Sequence, residues 1–191
     1  MKRIFLLQKL LFLLILFSLS SCCHDDEEEL HFIGDSIVGN WDIRLFFPNY
    51  ITENHGIGKT GLSHIIDYHN KLKGKRVVVL TGTNDLTNEG IKDSLYSIKY
   101  IHAIEGLAAS DVNIISILPR QYESDKEEIN SIIKKLNNDI KRGALSKGWN
   151  YIDVFDAFLL DNGINHEYYF DGLHLTNEGY EVLSYLVKKE L

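Results

Sequence analysis

Beyond positions 22 and 23 the 191-residue sequence contains no cysteine. A disulfide framework is excluded for everything downstream, so a folded domain here must rely on its packed core. No cysteine or histidine spacing of the metal-binding kind is visible, and no metal is expected. Basic excess is missing too: 20 Lys and Arg stand against 27 Asp and Glu. Nucleic acid, which calls for a positive surface, is not an expected partner. No internal repeat or low-complexity linker divides the chain. The apolar run from Leu10 to Phe17 is too short to span a bilayer.

That run has another reading. Lys2 and Arg3 precede it and Leu19-Ser20-Ser21-Cys22 follows it, the layout of a secretory signal over residues 1–21. Small residues ahead of a cysteine resemble the lipobox of bacterial lipoproteins, which are cut before the cysteine and lipidated on it, here Cys22. An ordinary signal peptide and an uncleaved anchor are the alternatives. Residues 22–29, with Asp25-Asp26-Glu27-Glu28-Glu29, read as a solvated acidic tether. A cysteine followed by acidic residues also resembles the signal that sends some Gram-negative lipoproteins to the cell surface. The expected location is therefore a membrane, the outer membrane first, reached through lipid on Cys22. Removing residues 1–21 takes away Lys2, Arg3 and Lys9 and leaves 17 basic against 27 acidic side chains, a net charge of −10.

Residues 30–191 are long enough for one domain with a sizeable core. Short apolar runs, Leu30 to Ile33, Val77 to Leu80, Ile114 to Leu118 and Tyr151 to Val154, have the continuous character of strands buried on both faces; Ile51 to His55 is a weaker candidate. Between them lie amphipathic segments. Ile129, Ile132, Ile133, Leu136 and Ile140 keep helical spacing, as do Ile91, Leu95 and Ile98, and Thr176 is a good N-cap for a last helix presenting Tyr180, Leu183 and Val187. The alternation predicts an α/β fold, a mostly parallel sheet with helices on both faces. Ligands on such sheets sit at the carboxyl ends of the strands. Ser36, Gly58 and Gly82 to Asn84 all follow expected strands.

Those positions carry chemistry. Ser36 follows Gly34-Asp35 at a strand-to-loop turn, and a serine hydroxyl attacks only when a base takes its proton. His174 is the candidate base, and Asp171, three residues earlier, can reach its Nδ1 and fix the tautomer. Negative charge developing on a carbonyl oxygen needs preplaced donors: the Ser36 amide, the Gly58 amide and the Asn84 side-chain amide qualify.

Gly34-Asp35-Ser36, Gly58, Gly82-Thr83-Asn84-Asp85 and Asp171-Gly172-Leu173-His174-Leu175, in that order, resemble the four blocks of the SGNH hydrolases, the GDSL-type esterases and lipases. The resemblance implies a three-layer α/β/α sandwich like flavodoxin. It also implies a Ser36-His174-Asp171 triad, an oxyanion hole of Ser36, Gly58 and Asn84, a structural role for Asp35, and no cofactor. The implied activity is ester hydrolysis through an acyl-enzyme, on a small-molecule or glycan ester; O-acetylated carbohydrate is the first expectation. Short-chain lipid or thioester hydrolysis, or a catalytically silent glycan-binding lipoprotein, are the rivals. The Gly-x-Ser-x-Gly elbow of the α/β-hydrolases is absent, because position 38 is valine.

Two further expectations concern substrate contact: Arg120, just past an expected strand's carboxyl end, and Trp41. Tyr168, Tyr169 and Phe170 are aromatic candidates for the same pocket. His55, His64, His69, His102 and His166 read as surface or packing residues. Gly56-Ile57-Gly58-Lys59-Thr60-Gly61 matches a dinucleotide-binding fingerprint, but no acidic residue follows between Arg76 and Thr81 to hold a ribose.

Overall fold

The computed structural model describes residues 28–86, 91, 95–161 and 163–191. The signal segment, Cys22 and most of the tether lie outside the described residues. The tether's expected end at residue 29 needs correction. Glu29 opens the first strand, the Glu28 carbonyl accepts from the Ile51 amide at 3.1 Å, and the two carboxylates pair with Arg76 (2.8 Å) and with Lys75.

Five strands, β1 (Glu29–Gly34), β2 (Ile51–Gly56), β3 (Arg76–Leu80), β4 (Asp111–Ile115) and β5 (Asn150–Ile152), form one parallel sheet in the order β2-β1-β3-β4-β5. The chain winds outward from β1 to β2, then crosses back to β3 and proceeds the other way. The crevice between β1 and β3 is the switch point of a flavodoxin-like order, where loops diverge above the strand ends and leave room for a ligand.

Alternation along each strand builds two cores. Ile33, Val77, Val79 and Ile114 face α3 (Leu62–Asp67), α4 (Tyr96–Glu105) and α5 (Ile129–Ser146). Phe32, Val78, Leu80 and Ile115 face α1 (Ser36–Gly39), α2 (Ile43–Phe46) and α6 (Asn177–Lys188). This is the expected three-layer α/β/α sandwich. A sheet covered on both faces needs apolar side chains at odd and even positions alike, which is why β3 reads Arg-Val-Val-Val-Leu. A two-residue hairpin, β6 (Leu159–Leu160) with β7 (Gly163–Ile164), lies outside the main sheet.

Boundaries differ from expectation where side chains take over backbone pairing. The run Ile114 to Leu118 is wholly buried, yet β4 stops at Ile115. Asn137 of α5 accepts from the Ile117 amide (2.9 Å) and donates to the Ile117 carbonyl (2.8 Å), doing the work of a neighbouring strand. The α4 face also differs: Leu95 and Ile98 are each 53 % exposed, whereas Tyr96, Tyr100, Ile101 and Ile104 are buried. Thr176 caps α6 as expected, accepting from the Gly179 amide at 3.2 Å. Among the described residues no helix is long and apolar enough to cross a membrane.

Candidate active site

Ser36 begins α1 directly after β1. The turn is built by its neighbours: Asp35 caps α1 by accepting from the Ile37 amide (2.9 Å), and Tyr180 of α6 donates to the Ile37 carbonyl (2.8 Å). Asn54 of β2 ties this turn to the next loop. Its Nδ2 donates to the Val38 carbonyl (2.8 Å) and its Oδ1 accepts from the Gly56 amide (2.8 Å). A Cβ on Gly56 would stand 2.2 Å from the Gly39 nitrogen, so only glycine lets the two turns close on each other.

His174 comes from the far end of the chain, in the segment between the short 3₁₀ turn His166–Tyr168 and α6. Tyr169 and Leu175 form an antiparallel bridge and the Phe170 amide donates to the His174 carbonyl at 2.7 Å, making residues 169–175 a narrow loop. Gly172 sits at its tip with φ +80°, and a Cβ there would meet the Gln121 carbonyl at 2.2 Å. The same contact pins the loop, since the Gln121 amide donates to the Gly172 carbonyl at 2.8 Å.

Inside that loop Asp171 Oδ1 accepts from the amides of Leu173 (3.0 Å) and His174 (2.7 Å), and Oδ2 lies 2.8 Å from His174 Nδ1. His174 Nε2 is 3.1 Å from Ser36 Oγ. With Nδ1–H donated to the carboxylate, Nε2 carries the lone pair that faces the hydroxyl. Partial burial pushes the Asp171 carboxyl upward, but the hydrogen bonds from His174 and Leu173 outweigh it and hold the group below its ordinary value. It stays anionic, the state a proton-accepting imidazole needs beside it.

The loops after β2 and β3 complete the rim. Gly58 is exposed, and a Cβ on it would lie 3.8 Å from Ser36 Cβ. Asn84 is exposed on the 3₁₀ turn Thr83–Asp85 and gives one N–H to the Thr60 carbonyl at 2.8 Å, which fixes the plane of its amide. An amide nitrogen has two hydrogens, so one is left to donate. Asp35, 1 % exposed, is pushed up to about 7, above all by burial, against the Ile37 hydrogen bond and the His174 charge and with a small further push from Asp85.

Ser36, His174 and Asp171 are thus brought together in one relay, with Gly58 beside it and Asn84 on the neighbouring loop. The two substrate-contact expectations are not met. Arg120 is 7 % exposed, and its guanidinium is engaged by the Thr83 carbonyl (2.6 Å) and by Asp125 (2.8 Å), so it braces the turn that carries Asn84. Trp41 is 2 % exposed, packed against Phe32, Phe47 and Tyr180, with Nε1 donating to Ser184 (2.9 Å). Tyr169 is also core, whereas Phe170 is 84 % exposed. The dinucleotide fingerprint is closed off. Asp85 accepts from the Leu62 amide at 2.9 Å, the donor a phosphate at the start of α3 would use, and Tyr96 fastens that carboxylate at 2.6 Å.

Sequence comparison places residues 32–182 within the GDSL-like lipase/acylhydrolase family description. Similar solved structures include a GDSL-like lipase from Bacteroides thetaiotaomicron, 23 % identical with a TM-score of 0.70 over 86 % of this chain and 87 % of the other. A lipase/acylhydrolase from Enterococcus faecalis is 19 % identical, with a TM-score of 0.69 over 85 % and 94 %. An acetyl xylan esterase variant from Geobacillus stearothermophilus is 15 % identical, with a TM-score of 0.66 over 85 % and 94 %. No curated protein sequence matches the chain.

Proposed function

Because the chain belongs to the GDSL-like lipase/acylhydrolase family and is thereby an ester hydrolase in the general sense, we propose that it is a serine esterase working through Ser36, His174 and Asp171. The observation that carries this reading is the continuous relay of 3.1 Å and 2.8 Å from hydroxyl to imidazole to carboxylate. As Ser36 Oγ bonds to the ester carbonyl carbon, His174 Nε2 takes its proton, and Asp171 steadies the imidazolium. The carbonyl oxygen becomes an oxyanion held by the amides of Ser36 and Gly58 and the remaining Asn84 N–H. Collapse of the tetrahedral intermediate breaks the ester C–O bond, and His174 returns the proton to the departing alcohol. Water then repeats the cycle on the acyl-serine and releases the acid. No cofactor enters these steps.

The substrate we propose is an O-acetylated carbohydrate, and the anchor is lipid on Cys22 at the outer membrane. Support for both comes from the signal-like amino terminus, from the open, polar rim on which Gly58 and Asn84 are exposed, and from likeness of fold to an esterase of acetylated xylan. A fluorophosphonate probe tests the nucleophile: wild-type protein labels at Ser36 and hydrolyses p-nitrophenyl acetate, and Ser36→Ala does neither. Well-folded wild type that is silent in both assays sinks the proposal in favour of a glycan-binding role. Asn84→Ala is expected to lower kcat by roughly 10²–10³-fold with unchanged circular dichroism, the usual loss when one oxyanion donor goes. A panel of acetylated sugars and esters of rising acyl length sets the substrate class.

A further inference from the structure

A second group of side chains lies on the sheet face opposite Trp41 and shares no residue with the catalytic relay. His31 is on β1; Glu53 and His55 are on β2. The parallel register pairs His31 with Glu53 and Ile33 with His55, and the two-residue period of β2 turns Glu53 and His55 to the same side. Three donor atoms, one from each residue, lie within 4.8 Å of one another. His31 Nδ1 and His55 Nε2 are 3.1 Å apart, and Glu53 Oε2 is 4.0 Å from His55 Nε2.

We propose that His31, Glu53 and His55 form a site for a late first-row divalent cation, Zn²⁺, Ni²⁺ or Co²⁺, which staples the edge strand β2 to β1. Two donors on one tetrahedral ion stand about 3.3 Å apart, given bonds of about 2.0–2.1 Å. The two imidazole nitrogens already have that separation. The Glu53 side chain is 59 % exposed, and its Oε2 has about 0.7 Å to close from 4.0 Å to reach that separation from His55 Nε2. Two imidazoles and a carboxylate suit these ions and not Mg²⁺ or Ca²⁺, which prefer all-oxygen shells.

The surroundings match what a ligating histidine needs. His31 Nε2 lies 3.4 Å from Glu29 Oε2, and Glu29 is itself held by Lys75. A carboxylate on the far nitrogen fixes the tautomer so that Nδ1 keeps its lone pair for the ion. His31 is buried against β2, and His55 is wedged between His31 and Tyr68. His64 is excluded from the shell because its Nε2 is 2.7 Å from the His55 carbonyl. To bind, His55 carries its proton on Nδ1 instead of sharing it with His31. The esterase reading is not required for any of this.

The full chain, with Cys22 and Cys23 alkylated and metal removed by EDTA and desalting, is titrated with Zn²⁺ against a chromophoric chelator and followed by thermal unfolding. One equivalent is expected to bind with a micromolar or tighter Kd and to raise Tm. Glu53→Gln, at an exposed position, and His55→Gln should each weaken binding by about 10–100-fold, and Glu29→Gln by about 10-fold. His174→Ala should bind as wild type does. The proposal is overturned if wild type binds none of Zn²⁺, Ni²⁺ and Co²⁺ tighter than millimolar, if Glu53→Gln and His55→Gln bind as wild type, or if His174→Ala abolishes binding.

Discussion

Asp35 is a carboxyl group placed where charge is expensive. One oxygen accepts from the Ile37 amide, while Oδ2 is buried with no hydrogen-bond partner among the described residues. Its ordinary value of 3.8 rises to about 7, chiefly through that burial. Between about pH 4 and pH 7 the native protein therefore keeps a proton that the unfolded chain has released, so stability falls as pH rises through this window. Below it Asp35 is neutral in both states, and above about 7 the loss is complete at roughly 4 kcal/mol. Asp35→Asn keeps the Ile37 hydrogen bond and cannot ionise. Urea midpoints of the two proteins should therefore diverge steadily between pH 4 and 8, with wild type losing ground to the variant. Parallel curves would assign the burial a smaller effect. Asp171 differs because its oxygens accept from three N–H donors, so it is anionic throughout the pH 4 to 7 window in which Asp35 still holds its proton.

At the scale of elements, the turn after β3 matters most, because it carries Asn84 and is held by a side chain from another loop. Arg120 clamps it through Thr83 while neutralising Asp125, whose side chain is 3 % exposed. Arg120→Met removes the clamp and leaves a buried carboxylate unpaired, which costs about 3–5 kcal/mol. Urea unfolding should read that loss, and kcat should fall with it as the Asn84 amide loses its fixed plane. The sequence disclosed the strands and the motif residues well, since runs such as Val77 to Leu80 and the placement of glycine after strands follow from local sterics. It misled where a role is set by tertiary partners. Arg120 looks like a free cation until Asp125 and Thr83 are placed around it, and Trp41 gives no local sign of the Ser184 hydroxyl that meets its indole. The His31, Glu53 and His55 cluster escapes any spacing rule because its members come from two strands that meet only through pairing register. Leu95 and Ile98 keep helical spacing but lie on the side that faces solvent, so periodicity alone does not mark the buried face of α4.

For the whole molecule, the two apolar layers on a five-stranded sheet account for stability without a disulfide, as the position of both cysteines requires. The proposed anchor makes a separate prediction: Cys22→Ala should appear in the soluble fraction of cells, with wild type in the membrane fraction. Retention of the variant in membranes would point to an uncleaved apolar segment instead. The direction of β1 adds a consequence for reach. Its six residues advance about 17 Å from Glu29, where the chain arrives from the acidic stretch, to Gly34 beneath the nucleophile. Under the lipid anchor proposed for Cys22, the leash joins the domain at the pole opposite the nucleophile, which leaves the reacting pole open to polymers drifting in from the medium.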